Sequence, residues 1–213
     1  MIPRRALWSV ILAAALILTA AGYWGPWVAH KAAALVIPGV DLAEYVKFLP
    51  EYRRHEIRIL REGFYLPLVA LSLSLSLLAW QPAARWPMGL RALAWACSIS
   101  AALAMLPPAW SPVTFRQPEF RLQIVAIVVC LIIAAVAPLL RRVRPAYLSC
   151  VLVPLSLFAA FVPVWQFGIV RPALDKVYGR PITIGWGPVV MTLGLILLAL
   201  GWVGLSRSER RNG

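Results

Sequence analysis

The chain has 213 residues, of which 62% are hydrophobic and only 14% are charged. Soluble domains carry about 45–50% apolar and about 25% charged residues, so this composition excludes an ordinary soluble protein. A formal net charge of +13 favours nucleic acid binding in soluble proteins, but here we expect no nucleic-acid partner, because arginines beside apolar runs are typical of membrane spans that meet anionic lipid headgroups.

Six long apolar runs dominate the chain, and each is close to the ~17–25 residues that a helix needs to cross ~30 Å of hydrocarbon. Five of them contain no charged residue, and the third contains Arg91 at its second position. The six runs predict transmembrane helices at residues 7–27, 64–80, 90–106, 123–140, 148–167 and 184–205. Continuous apolar runs indicate helices, whereas barrel strands alternate. The sequence therefore predicts an all-α integral membrane protein with six transmembrane helices, forming a single polytopic domain over residues 1–213 in the lipid bilayer.

The first run could also be read as a signal peptide. It follows Arg4 and Arg5, and Thr19-Ala20-Ala21 loosely resembles a cleavage site. The apolar character nevertheless continues through Trp24 and Trp27, which gives a full-length span. We therefore expect an uncleaved first span.

The connection at residues 28–63 is the longest, and its sequence predicts a helical extracytoplasmic loop. Asp41-Leu42-Ala43-Glu44 fits a capping box, with Asp41 as the N-cap of a helix beginning at Leu42. Leu42, Tyr45, Val46 and Leu49 follow the i, i+3, i+4, i+7 spacing of an apolar helix face. Such a face suits a helix that lies on the membrane surface or caps the bundle.

A second helix is expected to begin near Glu51 and to run towards the second span, with Gly63 as a weak point. Its charges could pair locally. The predicted pairs are Glu51 with Arg54 or His55, Arg53 with Glu56, and Arg58 with Glu62.

This loop and the two shorter outer connections concentrate polar residues that could recognise a substrate or partner. The candidate recognition residues are Tyr45, Tyr52, Arg54, His55, Arg116 and Arg171. A self-paired, solvated hairpin and lipid-headgroup anchoring are the alternatives. His30 and His55 are too far apart in the sequence to indicate a metal site, and we predict no metal and no cofactor.

Small residues recur along two spans at spacings that place them on one helix face, where they let backbones approach closely. They are Ala92, Ala96 and Ser100 in the third span, and Gly187, Gly194 and Gly201 in the sixth. These small-residue faces could pack against other helices of the same chain or against a partner subunit.

Three further patterns concern the second span, the fifth span and the segment that follows the fifth span. Ser72 and Ser76 predict a hydrogen-bonding seam in the second span. Pro154 and Pro163 predict kinks in the fifth span. The segment Pro172–Gly179 predicts one or two helical turns that begin at Pro172 and stop at Gly179.

The distribution of basic residues over short loops favours cytoplasmic N- and C-termini in a prokaryotic inner membrane. The segments that would face the cytoplasm contain Arg4, Arg5, Arg85, Arg91, Arg141, Arg142, Arg144, Arg207, Arg210 and Arg211.

Serines occur in the spans without a His, Asp, Glu or Lys that could activate them, so we expect no enzyme. Ion-coupled carriers commonly use acidic or basic residues within the membrane, and the predicted spans contain no Asp, Glu, His or Lys. The chain also has no GxxxxGK[ST] sequence, so it has no P-loop with which to power transport itself. We therefore expect a non-catalytic subunit of a transport system powered by a separate component, with other membrane subunits and a separate ATPase as candidate partners. The alternative is a scaffold or accessory subunit of a membrane protein complex.

The predicted topology is similar in outline to the substrate-capture subunits of energy-coupling-factor vitamin transporters. The similarity consists of six short spans, both ends inside and a long first outer loop. It implies substrate capture by a subunit that a separate ATPase drives.

Overall fold

The computed structural model describes residues 4–30, 35–84, 86–107, 111, 113 and 117–210. The helices are α1 (Arg4–Trp24), α2 (Gly39–Tyr45), α3 (Pro50–Arg53), α4 (Leu66–Trp80), α5 (Met88–Leu103), α6 (Arg121–Val136), α7 (Pro145–Tyr178) and α8 (Gly187–Arg210). Short strands are β1 (Pro26–Ala29), β2 (Ile37–Pro38) and β3 (Thr183–Ile184). Single 3₁₀ turns occur at Val46–Phe48, Arg61–Tyr65, Pro82–Ala84, Pro118–Phe120 and Leu139–Arg142.

The architecture is that of an all-α multi-pass membrane protein. Within the described residues, five helical segments are long and apolar enough to span a membrane, and they are Ala6–Trp24, Arg61–Trp80, Pro118–Val136, Pro145–Tyr178 and Gly187–Glu209. Four of them correspond closely to predicted spans. The fifth predicted span, 148–167, is extended at both ends.

The third predicted span, 90–106, corresponds to the shorter helix α5, which has 16 residues. A turn at Ala104 and Met105 closes on the carbonyls of Ser100 and Ala102, and Pro107 follows. A residue before proline is disfavoured in the helical conformation, so the helix ends before the predicted boundary. The described chain thus has five helices of membrane length and one shorter apolar helix.

Helices α1 and α8 pack antiparallel along their whole length. A Cβ atom added at Gly194 would lie 2.5 Å from the Thr19 backbone nitrogen, and one at Gly201 would lie 2.7 Å from Leu12 Cδ2. The bare glycine surface therefore lets the two backbones approach closely. Because α8 begins where α1 ends, the start of α1 and the end of α8 lie at the same end of the bundle.

Helix α7 is a single helix of 34 residues with three internal prolines. The expectation that a new helix begins at Pro172 is wrong, since Pro172 lies inside α7. Proline fixes φ near the helical value and removes one N–H, which a long membrane helix tolerates. The predicted stop at Gly179 is confirmed, because Gly179 adopts φ +64 and caps α7.

The interior of the bundle contains serines whose hydroxyls hydrogen-bond within the chain. Ser72 Oγ donates to the Ser98 carbonyl at 2.9 Å, and Trp202 Nε1 lies 3.4 Å from Ser74 Oγ. Ser76 Oγ donates to Leu73 O, so it does not extend the predicted seam to a neighbouring helix. The three serines of α4 are fully buried.

Residues 25–30 and 35–65, which we call the cap, pack against one end of the bundle. Strand β1 pairs antiparallel with β2 and with β3, which places the segment between α7 and α8 beside the cap. Tyr23 Oη donates to the Phe64 carbonyl at 2.9 Å. Trp27 is fully buried and contacts Phe167 edge-on. The cap is therefore built onto the bundle as part of the hydrophobic core.

The helix predicted to begin at Leu42 begins at Gly39, and Asp41 is not its N-cap. Pro38 is the N-cap and makes no side-chain capping bond, so Asp41 lies within the first turn. The extended conformation of Pro38 starts the helix three residues earlier than a cap at Asp41 allows. Leu42, Val46 and Leu49 are buried, so the predicted apolar face packs in the protein core.

The second predicted helix is wrong beyond its first turn. Helix α3 ends at Arg53, and residues 54–60 continue as a turn and an extended segment. The continuous helix that the predicted i, i+3 and i, i+4 charge pairs need is therefore missing beyond Arg53. Arg54 instead pairs with Glu56 at 3.8 Å, and Glu51 pairs with Lys176 of α7 at 3.2 Å.

Candidate functional site

The candidate site is a groove at the cap end of the bundle, and the turn that ends helix α3 forms part of its edge. The Glu56 backbone N–H donates to Glu51 O at 2.9 Å, and the His55 N–H donates to Tyr52 O at 3.0 Å. These two bonds form a Schellman motif with His55 at the left-handed position, where its φ is +59. Among the described residues other than glycine, His55 alone has a positive φ. Such a conformation is uncommon and marks a position worth functional attention.

The groove lies between this turn and α7 and has a volume of about 540 Å³. Its lining residues are Tyr52, His55, Ile57, Arg58, Ile59, Leu60, Trp165 and Gln166. The volume lies within the range of about 300–1,000 Å³ that is typical of small-ligand sites. One wall of the groove is the Schellman turn with the extended segment that follows it, and the other wall is helix α7.

Gln166 joins the two walls of the groove. Its Nε2 donates to the Leu60 carbonyl at 2.8 Å, and the residue is only 2% exposed. Gly63 permits this approach, since a Cβ at that position would lie 2.5 Å from Gln166 Oε1. Gln166 Oε1 is buried and has no hydrogen-bond donor among the described residues, so the groove wall holds one unused acceptor.

The charge of the groove is set by Arg58. No carboxylate in the described part of the chain forms an ion pair with Arg58, whereas its acidic neighbours are paired elsewhere. Glu56 pairs with Arg54, and Glu62 with Arg61. The groove therefore presents an exposed guanidinium that is free to meet an anion.

Glu51 holds α3 against the end of α7. A hydrogen bond from its own backbone N–H, and then the Lys176 ammonium, lower the pKa of the Glu51 carboxyl below its ordinary value of 4.5. Glu51 is therefore ionised at neutral pH and fixes the turn that carries Tyr52 and His55.

An apolar helix face continues from the groove along α7. Trp165 is 55% exposed, and its ring stacks on Phe161, which is 65% exposed, with ring centroids 6.4 Å apart. Phe158, one turn further along the same face, is also exposed. Since α7 is a membrane-length helix, these rings mark a surface that suits lipid chains.

A buried ionic cluster around Arg61 fixes the cap relative to α6. The Arg61 guanidinium donates to Glu44 Oε1 at 3.1 Å, to the Glu119 carbonyl at 2.7 Å and to Gln123 Oε1 at 3.3 Å. Tyr65 Oη and Lys47 Nζ also reach the Glu44 carboxylate. With this many partners the cluster is a structural clamp.

The structure brings together two of the predicted recognition residues, Tyr52 and His55, in the groove. Tyr45 contacts Tyr178, Arg54 pairs with Glu56, and Arg171 is half-buried on α7 without lining the groove. Arg116 lies outside the described residues. Sequence reasoning missed Arg58, Trp165 and Gln166 as groove residues, and the one available signal was a glutamine in an otherwise apolar span.

The predicted small-residue faces have different surroundings. Gly187, Gly194 and Gly201 pack against α1 within the chain. Ala92, Ala96 and Ser100 are exposed, and α5 instead buries Ala94, Ser98, Ala101 and Ala102. The α5 face predicted from spacing four is therefore not the face that packs inside this chain, because Ala94 and Ser98 occupy the turn positions that meet α4.

A second, smaller cavity of about 330 Å³ lies beside the strands and is lined by Ala29, His30, Tyr178, Arg180, Pro181, Ile182 and Thr183. The Arg180 guanidinium contacts His30 Nε2 across this cavity. Over the described ranges, no three His, Cys, Asp or Glu side chains are grouped as metal ligands.

Comparison of the chain with protein-family models, curated proteins and solved structures finds no match.

Proposed function

We propose that this chain is a non-catalytic, membrane-embedded subunit of a transport system powered by a separate component, and that the groove captures the substrate. The observation that carries the proposal is the groove itself. It combines a rigid outline, an unpaired arginine and an unused buried acceptor at the cap end of the bundle. Sites of this kind, concave and largely apolar with a few polar groups, are typical of ligand capture.

The proposed topology has six membrane-crossing helices, with α5 as the shortest, and both termini in the cytoplasm of a prokaryotic inner membrane. The cap and the groove then face the outside. The arginines at the end opposite the cap, among them Arg91, Arg141 and Arg207, support this orientation because basic residues favour the cytoplasmic side.

A scaffold or accessory subunit is the second candidate function. It is favoured by the hydrogen-bonded serines of α4, which fill the bundle interior where a hydrated path would run. The exposed face of Ala92, Ala96 and Ser100 would suit close contact with a partner helix.

The two functions differ in the proteins expected to co-purify. We would isolate the tagged chain in mild detergent and identify its partners by mass spectrometry. A nucleotide-binding ATPase in stoichiometric amount supports the transport subunit, whereas another multi-pass protein without an ATPase supports the accessory subunit. Isolation of the chain alone at native expression levels contradicts both.

A paired variant locates the partner surface. Ala96→Phe changes the exposed small-residue face of α5, and Val128→Phe changes an exposed position on α6. If the α5 face binds the partner, Ala96→Phe removes the partner while Val128→Phe retains it. Equal recovery from both variants contradicts this assignment of the surface.

A further inference from the structure

We propose that the groove binds the anionic head of a membrane amphiphile, whose apolar chain lies along Phe158, Phe161 and Trp165 of α7. The inference deepens the proposed function, since it names the class of substrate that the groove would capture. The proposed ligand does not depend on which component powers transport, because it follows from the chemistry of the groove.

The charge of the residues that line the groove favours an anionic ligand. Arg58 lines the groove and has no ion-pair partner within the described ranges, while Glu56 and Glu62, the acids nearest to it in sequence, pair with other bases. A guanidinium offers several N–H donors in a planar fork that matches phosphate or carboxylate oxygens. Tyr52 and His55 lie on the same wall and can add hydrogen bonds to the bound head.

The apolar residues beside Arg58 favour a ligand that also has an apolar chain. Ile57, Ile59 and Leu60 line the groove beside Arg58, and Leu60 is 56% exposed. The same opening continues onto the stacked rings of Trp165 and Phe161. A free inorganic anion would leave this surface uncovered, whereas an acyl or isoprenyl chain would bury it, and burial of apolar area is favourable.

The size of the site limits what it can hold. A volume of about 540 Å³ accommodates a head group and not a whole two-chain lipid, so the chains must extend out of the groove. Trp165 both lines the groove and belongs to the exposed aromatic face of α7. The head therefore occupies the groove while the chain follows the helix into the hydrocarbon.

Native mass spectrometry of the full chain tests this proposal. The protein would be reconstituted in phosphatidylcholine nanodiscs that contain a minor fraction of phosphatidylglycerol, then released and scored for retained lipid. We expect selective retention of phosphatidylglycerol. Arg58→Gln should reduce that retention about tenfold, because a hydrogen-bonded charge is lost, while Arg53→Gln, which changes an exposed arginine of α3 outside the groove, should leave it unchanged.

A second pair of variants tests the apolar half. Trp165→Ala should lower phosphatidylglycerol retention, whereas Trp186→Ala, at an exposed tryptophan just before α8, should not. Thermal unfolding of each variant verifies that it folds. Equal retention by Arg58→Gln and Arg53→Gln, or displacement of the lipid by millimolar inorganic phosphate, would overturn the proposal.

Failure of this proposal and failure of the proposed function are distinguishable. If the ATPase co-purifies but lipid retention does not depend on Arg58, the transport assignment stands and the amphiphile is excluded. If lipid retention depends on Arg58 but no ATPase is present, the lipid site stands and the transport assignment fails.

Discussion

Arg61 Nη1 lies 3.1 Å from Glu44 Oε1, and the two residues join the start of the second membrane-length segment to helix α2 of the cap. Arg61 is only 3% exposed, although its sequence neighbourhood is that of a charged loop. A charge buried this deeply must be paired and hydrogen-bonded to be tolerated.

Replacing Arg61 with methionine should destabilise the protein by about 2–4 kcal/mol, because Gln123 Oε1 and the Glu119 carbonyl lose their charged donor. Arg61→Lys should be intermediate, since it keeps the charge without the fork. Thermal and denaturant unfolding in detergent would measure both. Arg53→Gln is the exposed control and should change stability by less than about 0.5 kcal/mol; a similarly small effect of Arg61→Met would show that the cluster is not a clamp.

Replacement of glycine by alanine should lower the stability of the protein at Gly194 of α8 but not at Gly168 of α7. Gly194→Ala places a Cβ 2.5 Å from the Thr19 nitrogen, so the α1–α8 contact must separate, at a cost of about 1–3 kcal/mol. Gly168→Ala, in α7, meets no atom within 4 Å and should be neutral or stabilising by up to about 1 kcal/mol. Gly194→Leu should be worse than Gly194→Ala. Equal unfolding temperatures for the two alanine variants contradict the close packing of α1 on α8.

The contact between α3 and α7 should weaken in acid. The pKa of Glu51 is lowered in the folded protein by its own backbone N–H and by Lys176, so its contribution to stability is present above the unfolded value of 4.5 and is lost as the pH falls through the folded pKa. Hydrogen exchange of residues 51–57 should therefore accelerate between neutral pH and pH values below 4.5, after correction for intrinsic rates. Lys176→Met should reduce this pH dependence, and an unchanged profile in that variant would exclude the role of Lys176.

Two acids of α2 should differ in importance, contrary to the capping-box prediction. Asp41 makes no capping bond and burial raises its pKa, so Asp41→Asn should change the free energy of unfolding by less than about 0.5 kcal/mol. Glu44→Gln should cost more, at about 1–3 kcal/mol, because Glu44 pairs with Arg61 and Lys47. Thermal unfolding at neutral pH would compare the stability of the two variants. A larger loss of stability in Asp41→Asn than in Glu44→Gln would support Asp41 as the helix N-cap.

Cysteine labelling tests the proposed orientation. In a background with Cys97→Ala and Cys150→Ala, which removes the exposed native thiols, single cysteines at Ile2, Asn212 and Arg53 are treated with a membrane-impermeant reagent on intact cells. We expect protection at positions 2 and 212 and labelling at 53. Labelling of only one terminus would mean that one predicted span does not cross.

The positions of most helices could be predicted from the sequence because the signal is local. An apolar run of ~20 residues must satisfy its backbone within itself in lipid, so its hydrophobicity alone identifies it. The stop at Gly179 was equally local, since a left-handed cap favours glycine. The apolar face of Leu42, Val46 and Leu49 was predictable from its period, whereas its burial in the core was one of two open alternatives.

Tertiary structure decided the rest because the deciding partners are distant in the sequence. The Gln166 amide meets the Leu60 carbonyl across 106 positions, so no local pattern indicates that these residues enclose a groove. Arg61 resembles its charged neighbours in sequence, and only Glu44, Glu119 and Gln123, brought together from other elements, make its burial tolerable. Spacing alone could not tell which face of α5 would pack, since small residues permit close approach but the neighbouring helix determines where it occurs.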